Sequence, residues 1–258
     1  METTVLDANP VVILSASLLF VLMAVVASRR LGLGSERSIA VATIRAAIQL
    51  IGVGFLLSLI LDTGCERWLA PLWILAMVVI AANVTARRAG KRSVTIPAMV
   101  AIGTATVLSL SVVFGFGVLS PDPIQMIVIA GITIGNVLPA TVLAADQVRK
   151  QLAEGRPVIE GLLALGIDAK RSTRYIVSEA TRVSLIPQIE RTKVVGLIAL
   201  PGAFTGLLIA GVDPFEAAVI QLVVMYLVLG SVAVSSAVVA LVSARDAFTP
   251  DQRLRHAD

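Results

Sequence analysis

Apolar positions along the chain gather into long blocks separated by polar stretches. Uncharged blocks cover residues 8–28, 68–86, 93–121, 123–145, 194–212 and 217–244, and one more, 38–61, is interrupted only by Arg45. A helix crosses a bilayer with about 20 apolar residues. The pattern therefore predicts an all-α fold, a polytopic membrane protein with about seven transmembrane helices. The longest polar stretch, Asp146 to Lys193, has 48 residues and a helical pattern of its own. Pro157 suits the first turn of a helix, Gly166 a C-terminal stop, Asp168 a new N-cap and Pro187 a later kink. Two or three short helices lying at the membrane surface are predicted there.

Composition removes the soluble alternative. Of 258 residues 57% are apolar and 15% charged, where a soluble domain carries about 25% charged residues. The 21 basic and 17 acidic side chains are too few to clothe a soluble surface of this size. A net charge of +4 would suggest nucleic acid as the partner of a soluble chain. Here the basic residues sit between the apolar blocks as topology signals, and no nucleic acid partner is expected. Arg29, Arg30 and Arg37 follow the first block, Arg87, Arg88, Lys91 and Arg92 the third, nine more lie from Arg149 to Lys193, and Arg245, Arg253 and Arg255 close the chain, which places 19 of 21 on one side. Opposite stand Glu2, Asp7, Asp62, Glu66, Asp122 and Asp213 with Arg67. Lys and Arg are retained on the cytoplasmic side, so the N-terminus is expected outside and the C-terminus in the cytoplasm. The first block has no basic n-region and exceeds a signal-peptide core, so it is expected to stay as a transmembrane helix. The single cysteine, Cys65, and single histidine, His256, exclude an internal disulfide and a Cys/His metal cluster.

Several chemistries are also excluded. The closest approach to a nucleotide-binding loop, Gly90-Lys91-Arg92-Ser93, has Thr85 where the first glycine is required. All four lysines, Lys91, Lys150, Lys170 and Lys193, lie in polar stretches, which excludes a retinal Schiff base within a span. Neither an HExxH string nor a serine-hydrolase elbow occurs. No catalytic residue is expected, and none of the blocks offers carboxylates or imidazoles clustered for a bare cation, so a metal site stays unknown.

What stands out inside the blocks is backbone interruption. Gly135-Asn136 with Pro139 is predicted to break the fifth span, and Leu200-Pro201-Gly202 the sixth. Broken helices are tolerated at membrane depth only where protein or a water-filled cavity receives the freed backbone. Each break coincides with a G-x-x-x-G string, Gly131 to Gly135 and Gly202 to Gly206. Gly135, Asn136, Pro139, Pro201, Gly202 and Gly206 are therefore candidates for a transport path or its gate. Arg45, Gln49 and Gly52, at i, i+4 and i+7, put a polar, closely approachable face on the second span. A charge at that depth costs roughly 2.5 to 3.5 kcal/mol on insertion scales. Either Arg45 with Gln49 faces the bundle interior or a water path, or Arg45 snorkels to the cytoplasmic edge. Asn83, Gln125 and Gln221 are expected to hydrogen-bond between helices.

Two resemblances give these features a setting. Glu160-Gly161-Leu162-Leu163-Ala164-Leu165-Gly166 has the E-x5-G spacing of the EAA loop of ABC importer permeases, whose helix ends at a glycine and inserts into a groove of the ATPase. Gly161 and Leu162 replace the two alanines, and a plain surface helix capped by glycine fits the same residues. More extensively, Arg45-Ala46-Ala47-Ile48-Gln49-Leu50, Gly131-Ile132-Thr133-Ile134-Gly135-Asn136, Leu200-Pro201-Gly202-Ala203-Phe204-Thr205-Gly206 and Ala210-Gly211-Val212-Asp213-Pro214 with Glu216-Ala217 resemble the FetB-type membrane subunits of ABC transporters implicated in bacterial iron export. That family is related to a plant membrane subunit of aluminium tolerance, and the likeness runs from about residue 38 to 245. The family commonly reads Gly-Met-Met-Thr-Gly-Gln at the sixth span, where this chain has Ala203, Phe204 and Leu207, and usually lacks the proline that stands here as Pro139.

The resemblance implies a single transmembrane permease domain, 1–258, in a bacterial inner membrane, exporting iron or a related metal or metal complex. It implies a separate ABC ATPase subunit that docks on the coupling segment 146–193 through Glu160 and Gly166. The chain would bind no cofactor itself and take ATP through that partner, with a homodimer in the lipid bilayer as the assembly. The rival from another class is an ATPase-independent secondary carrier or a membrane receptor. A proton-coupled carrier would be expected to place an acidic residue mid-span, and the apolar blocks contain none.

Overall fold

The computed structural model describes residues 10–62, 66–90, 92–249 and 251–254. Glu2, Asp7, Cys65, Lys91, Arg255 and His256 lie outside the described residues. The described residues form helices and turns, with no β-strand beyond two isolated bridges, Val195 with Ala199 and Phe248 with Leu254. The helices belong to two compact units, Met1–Glu66 and Arg67–Asp258.

The first unit is the pair α1 (Pro10–Arg30) and α2 (Glu36–Asp62), joined by a five-residue turn. Ser28, only 2% exposed, organises that turn. Its hydroxyl donates to Glu36 Oε1 at 3.0 Å and accepts from the Ser35 N–H at 3.1 Å. Arg29 and Arg30 sit in the last turn of α1, where positive charge complements the helix dipole.

The second unit contains α3 (Glu66–Arg88), a 3-10 turn at Arg92–Val94, α4 (Thr95–Gly115), α5 (Pro123–Glu154), α6 (Arg156–Ala164), α7 (Ala169–Ser172), α8 (Arg174–Val194), α9 (Gly202–Ile209) and α10 (Pro214–Asp246). Asp122 and Asp213 cap α5 and α10 in the same way. Each carboxylate accepts from a backbone N–H of the first turn, and each is followed by a proline. Three successive core clusters fix the directions of the helices. Ile74, Val78, Ile102, Ala105, Ala130, Ile134, Val137, Val228 and Val232 form one. Ala82, Ala86, Ala98, Ala101, Ala144, Ala145 and Val239 form the next, and Val148, Ile159, Ile176, Ala180, Ala240, Ala244 and Phe248 the last. Residue numbers rise through the clusters along α3, α5 and α10 and fall along α4, so α4 runs opposite to the other three. The middle cluster is largely alanine, which lets the helices approach closely.

Hydroxyl groups join these helices where alanine leaves room. Thr133 Oγ1 donates to Ser109 Oγ at 3.0 Å, the Ser109 and Ser231 hydroxyls share a 2.7 Å bond, and Thr141 and Ser235 share another at 2.7 Å. All are buried. Ser109 therefore ties α4 to both α5 and α10. Ser109→Ala removes both ties and is expected to lower stability by about 1–2 kcal/mol, measurable as a lower midpoint of unfolding in detergent.

Five helices among the described residues are long and apolar enough to cross a membrane, lying within α2, α3, α4, α5 and α10. The first block is occupied by the 21-residue α1. The sixth block, 194–212, is not a spanning helix. It is a turn followed by α9, whose 8 residues cover only about 12 Å of a hydrocarbon core about 30 Å thick. Leu200 precedes a proline and is pushed out of the helical region, and Pro201 becomes the extended N-cap of α9. The fifth span, in contrast, is unbroken, with Pro139 inside α5. A proline removes the N–H that would reach the carbonyl four residues back, here that of Gly135, and its ring crowds that carbonyl, but packed neighbours sustain such a helix.

The stretch expected to lie at the membrane surface also differs. α5 continues nine residues beyond the predicted end of its span, to Glu154, and Asp146 pairs with Arg149 at 2.8 Å and Lys150 at 2.7 Å along it. α8 is a 21-residue helix packed on both α5 and α10. Ile176, Ala180 and Ser184, spaced i, i+4 and i+8, form its buried stripe. Ile176 and Ala180 join the last core cluster and Leu185 packs on the first, so α8 runs antiparallel to α5 back toward the middle of the bundle.

Candidate functional site

Asn136 lies 13 residues into α5, about 20 Å from its start by the helical rise, within the uncharged stretch 123–145. Its Nδ2 donates to the Ile132 carbonyl at 2.8 Å, which turns Oδ1 outward. That oxygen accepts from Arg191 Nη1 at 3.3 Å. Arg191 belongs to the last turn of α8, where Glu190 and Lys193 pair with each other at 2.8 Å. Gly135 and Pro139 are exposed beside Asn136. The α5–α8 packing thus brings Gly135, Asn136 and Pro139 together with charges that the hydrophobic pattern assigned to the cytoplasm. A signal for this was present in the sequence: the spacing Ile176, Ala180, Ser184, Pro187, Arg191 continues one helical stripe.

Three residues after Arg191 the helix ends, at Val194. The Ile198 and Ala199 N–H groups both donate to the Val194 carbonyl, at 3.0 and 3.2 Å, and the Gly196 N–H donates to the Ala199 carbonyl at 3.0 Å. Gly196 has φ 88, a left-handed conformation that side chains disfavour. α9 then packs against α10. Pro201 caps it, and Gly202 and Gly206 are exposed, with open space where a Cβ would be added. Of the two G-x-x-x-G strings only Gly131 meets a neighbour, Met77 Cε at 3.6 Å from an added Cβ. These glycines are therefore not a tight packing seam among the described residues.

Arg45 and Gln49 lie on one exposed face of α2 in the first unit, with Gly52 a turn further on. Arg45 makes no ion pair among the described residues. The chain's activity in cells, at matched membrane levels, distinguishes its two expected roles. If Arg45 lines a path, Arg45→Leu and Arg45→Lys should both lose about tenfold or more in activity, because the planar guanidinium is required. If it snorkels, Arg45→Lys behaves as wild type.

At the far end of α5, Glu160 of α6 is exposed and pairs with Arg156 at 2.7 Å. α6 closes with the Ile167 N–H donating to the Leu162 carbonyl at 3.1 Å around Gly166, whose φ is 80. Asp168 then caps α7 through the Arg171 N–H at 2.7 Å. Glu160, Gly166, Arg156, Asp251 and Arg253 line a groove of about 550 Å3. The hydrophobic pattern gave no hint of its second wall, the segment after α10. Phe248 is buried with Ile159 and Ile176, and Gln252 Oε1 accepts from the Ala169 N–H at 3.3 Å.

The expected interhelical amides are not engaged as such. Asn83 bonds to its own helix at Val79, and the buried Oε1 atoms of Gln125 and Gln221 have no hydrogen-bond partner among the described residues. No three His, Cys, Asp or Glu side chains converge on a metal position among the described residues.

Residues 11–248 match the model of a family described as an uncharacterised protein family, UPF0014. Similar proteins include the UPF0014 membrane protein YjkA of Bacillus subtilis, 28% identical over 94% of this chain and 97% of its own length. The probable iron export permease protein FetB of Escherichia coli is 30% identical over 93% of each chain. The protein ALUMINUM SENSITIVE 3 of Arabidopsis thaliana is 33% identical over 86% of this chain and 81% of its own. No solved structure matches.

Proposed function

The chain belongs to the UPF0014 family and is a multi-pass membrane protein, and from that premise we propose that it is the permease subunit of an ABC transporter that exports iron or a related metal or metal complex. The observation that carries the reading is the end of α8 at Val194, three residues beyond Arg191, which bonds to Asn136 in the uncharged stretch of α5. Discontinuous helices are how transporters build a binding site within a bilayer. The similarity to a protein named an iron export permease points the same way.

In this reading residues 1–258 form one permease domain that passes through the membrane seven times, with α8 and α9 together making one passage. The N-terminus is outside and the C-terminus in the cytoplasm, as favoured by the 17 basic residues that stay on one side once Arg191 and Lys193 are assigned to the passage of α8. Gly135, Asn136, Pro139, Pro201, Gly202 and Gly206 line or gate the path in the second unit, and Arg45 and Gln49 have a path or gating role on α2 of the first. ATP acts through a separate ATPase, which engages Glu160 and Gly166 in the coupling segment 146–193, and two copies of the chain complete the transporter. The chain performs no chemistry on its substrate.

A tagged copy should retain an ABC ATPase on purification and raise its ATP hydrolysis severalfold. A reporter after Asp258 should be cytoplasmic and a tag before Met1 external. A cytoplasmic N-terminus would remove the seven-passage topology. One observation favours an ATPase-independent carrier: Glu190, paired with Lys193 at 2.8 Å, supplies a carboxylate near mid-depth. That reading predicts transport driven by a pH gradient without ATP and abolished in Glu190→Gln.

A further inference from the structure

Arg191 presents its charge on an exposed face of α8 at the level of Asn136, with no ion pair among the described residues. Among the described residues its recorded partner is the Asn136 amide oxygen at 3.3 Å, while the neighbouring Glu190 is taken by Lys193 at 2.8 Å. Counted along α5, Asn136 is about 20 Å from one end of the apolar stretch and about 13 Å from the other. A guanidinium at that level is too deep to reach headgroups by snorkelling alone. The α8 C-terminus offsets at most about half a charge. A charged side chain at such depth ordinarily faces water and marks a pathway.

The donor inventory identifies what would complete the site. A guanidinium has five N–H donors in a planar fork, and one is used by Asn136. That bond orients the fork, since Asn136 is itself held by the Ile132 carbonyl at 2.8 Å. Gly135 and Pro139 leave the adjacent face of α5 without a long side chain, and α8 ends three residues later at Val194. An oriented fork with unused donors fits an oxyanion, carboxylate or phosphate, and repels a bare cation. The absence of a converging set of His, Cys, Asp and Glu among the described residues agrees with this.

We propose that Arg191, held by Asn136, is a binding residue for the transported solute, and that the solute passes mid-membrane as an anion bearing carboxylate or phosphate groups. A metal would then cross as an anionic complex and not as a free ion. This rests on the permease reading and deepens it.

The test is equilibrium binding to the full chain in nanodiscs of phosphatidylcholine alone, which supplies no net anionic headgroup. The probes are citrate, iron(III) citrate, inorganic phosphate and Fe2+ alone. Wild type is expected to bind at least one of the three anionic probes, with affinity falling as potassium chloride rises. Arg191→Gln should weaken that binding about tenfold or more, and Arg191→Lys by a smaller factor, with melting midpoints unchanged because Arg191 is exposed. Fe2+ alone should show no dependence on Arg191. The proposal is overturned if none of the anionic probes binds wild type, if Arg191→Gln binds them equally well, or if Fe2+ alone is the probe whose binding Arg191 controls. The assay uses no ATPase, so failure to find an ATPase partner would overturn the transporter reading and leave the anion site standing.

Discussion

Gly166→Pro is expected to abolish coupling between ATP hydrolysis and transport while leaving the chain in the membrane. Gly166 holds φ 80, which proline, fixed near −65°, cannot adopt. Proline would also delete the Gly166 N–H that donates to the Leu163 carbonyl at 2.9 Å. A conflict of this size costs about 3 kcal/mol or more, enough to unseat the end of α6 and deform one wall of the groove beside Glu160. The spanning helices do not depend on that turn, so membrane levels should hold. Glu160→Lys tests the same surface without touching the backbone. It reverses the charge facing Arg156 and should reduce ATPase capture severalfold. Normal capture and normal coupled activity in both variants would remove α6 from the docking surface.

The second large effect concerns the break between α8 and α9. Pro201→Ala restores an N–H able to continue a helix. Gly196→Ala penalises the left-handed turn by about 1–2 kcal/mol, and open space around Gly196 means that the cost is conformational and not steric. The double variant should favour a continuous helix through residues 195–201 and lower flux about tenfold or more, with stability lowered by no more than about 1–2 kcal/mol. Helicity by circular dichroism and flux at matched protein levels check it. Wild-type flux in a protein with raised helicity would mean that the break plays no part in transport.

How much was legible in the sequence depended on what faces what. Blocks 38–61, 68–86 and 217–244 reappear as α2, α3 and α10 with ends shifted by a few residues, because their apolar runs are long and mark spans by length and composition. Hydropathy misplaced α8 because a helix packed into the groove between α5 and α10 needs an apolar stripe, supplied by Ile176 and Ala180, and not an apolar circumference. The same blindness hid Arg191, which stands 55 positions from its partner Asn136. Conversely, the break at Leu200-Pro201-Gly202 was legible in 194–212, but the block still looked like a span because residue averages ignore the left-handed turn at Gly196 that precedes it. Asn136 itself was legible as a polar residue in an apolar run. The wall after α10 was not, since Phe248 and Gln252 acquire meaning only through tertiary contact with α6 and α7.

The most direct measurement reconstitutes the chain with its co-purified ATPase in sealed vesicles, with iron(III) citrate as the tracer. ATP is supplied on the side that carries the C-terminus. Tracer should move away from that side, requiring hydrolysable ATP, persisting when the pH gradient is collapsed, and stopping in Gly166→Pro. Flux of equal size without ATP, driven by the pH gradient and lost in Glu190→Gln, would contradict the account.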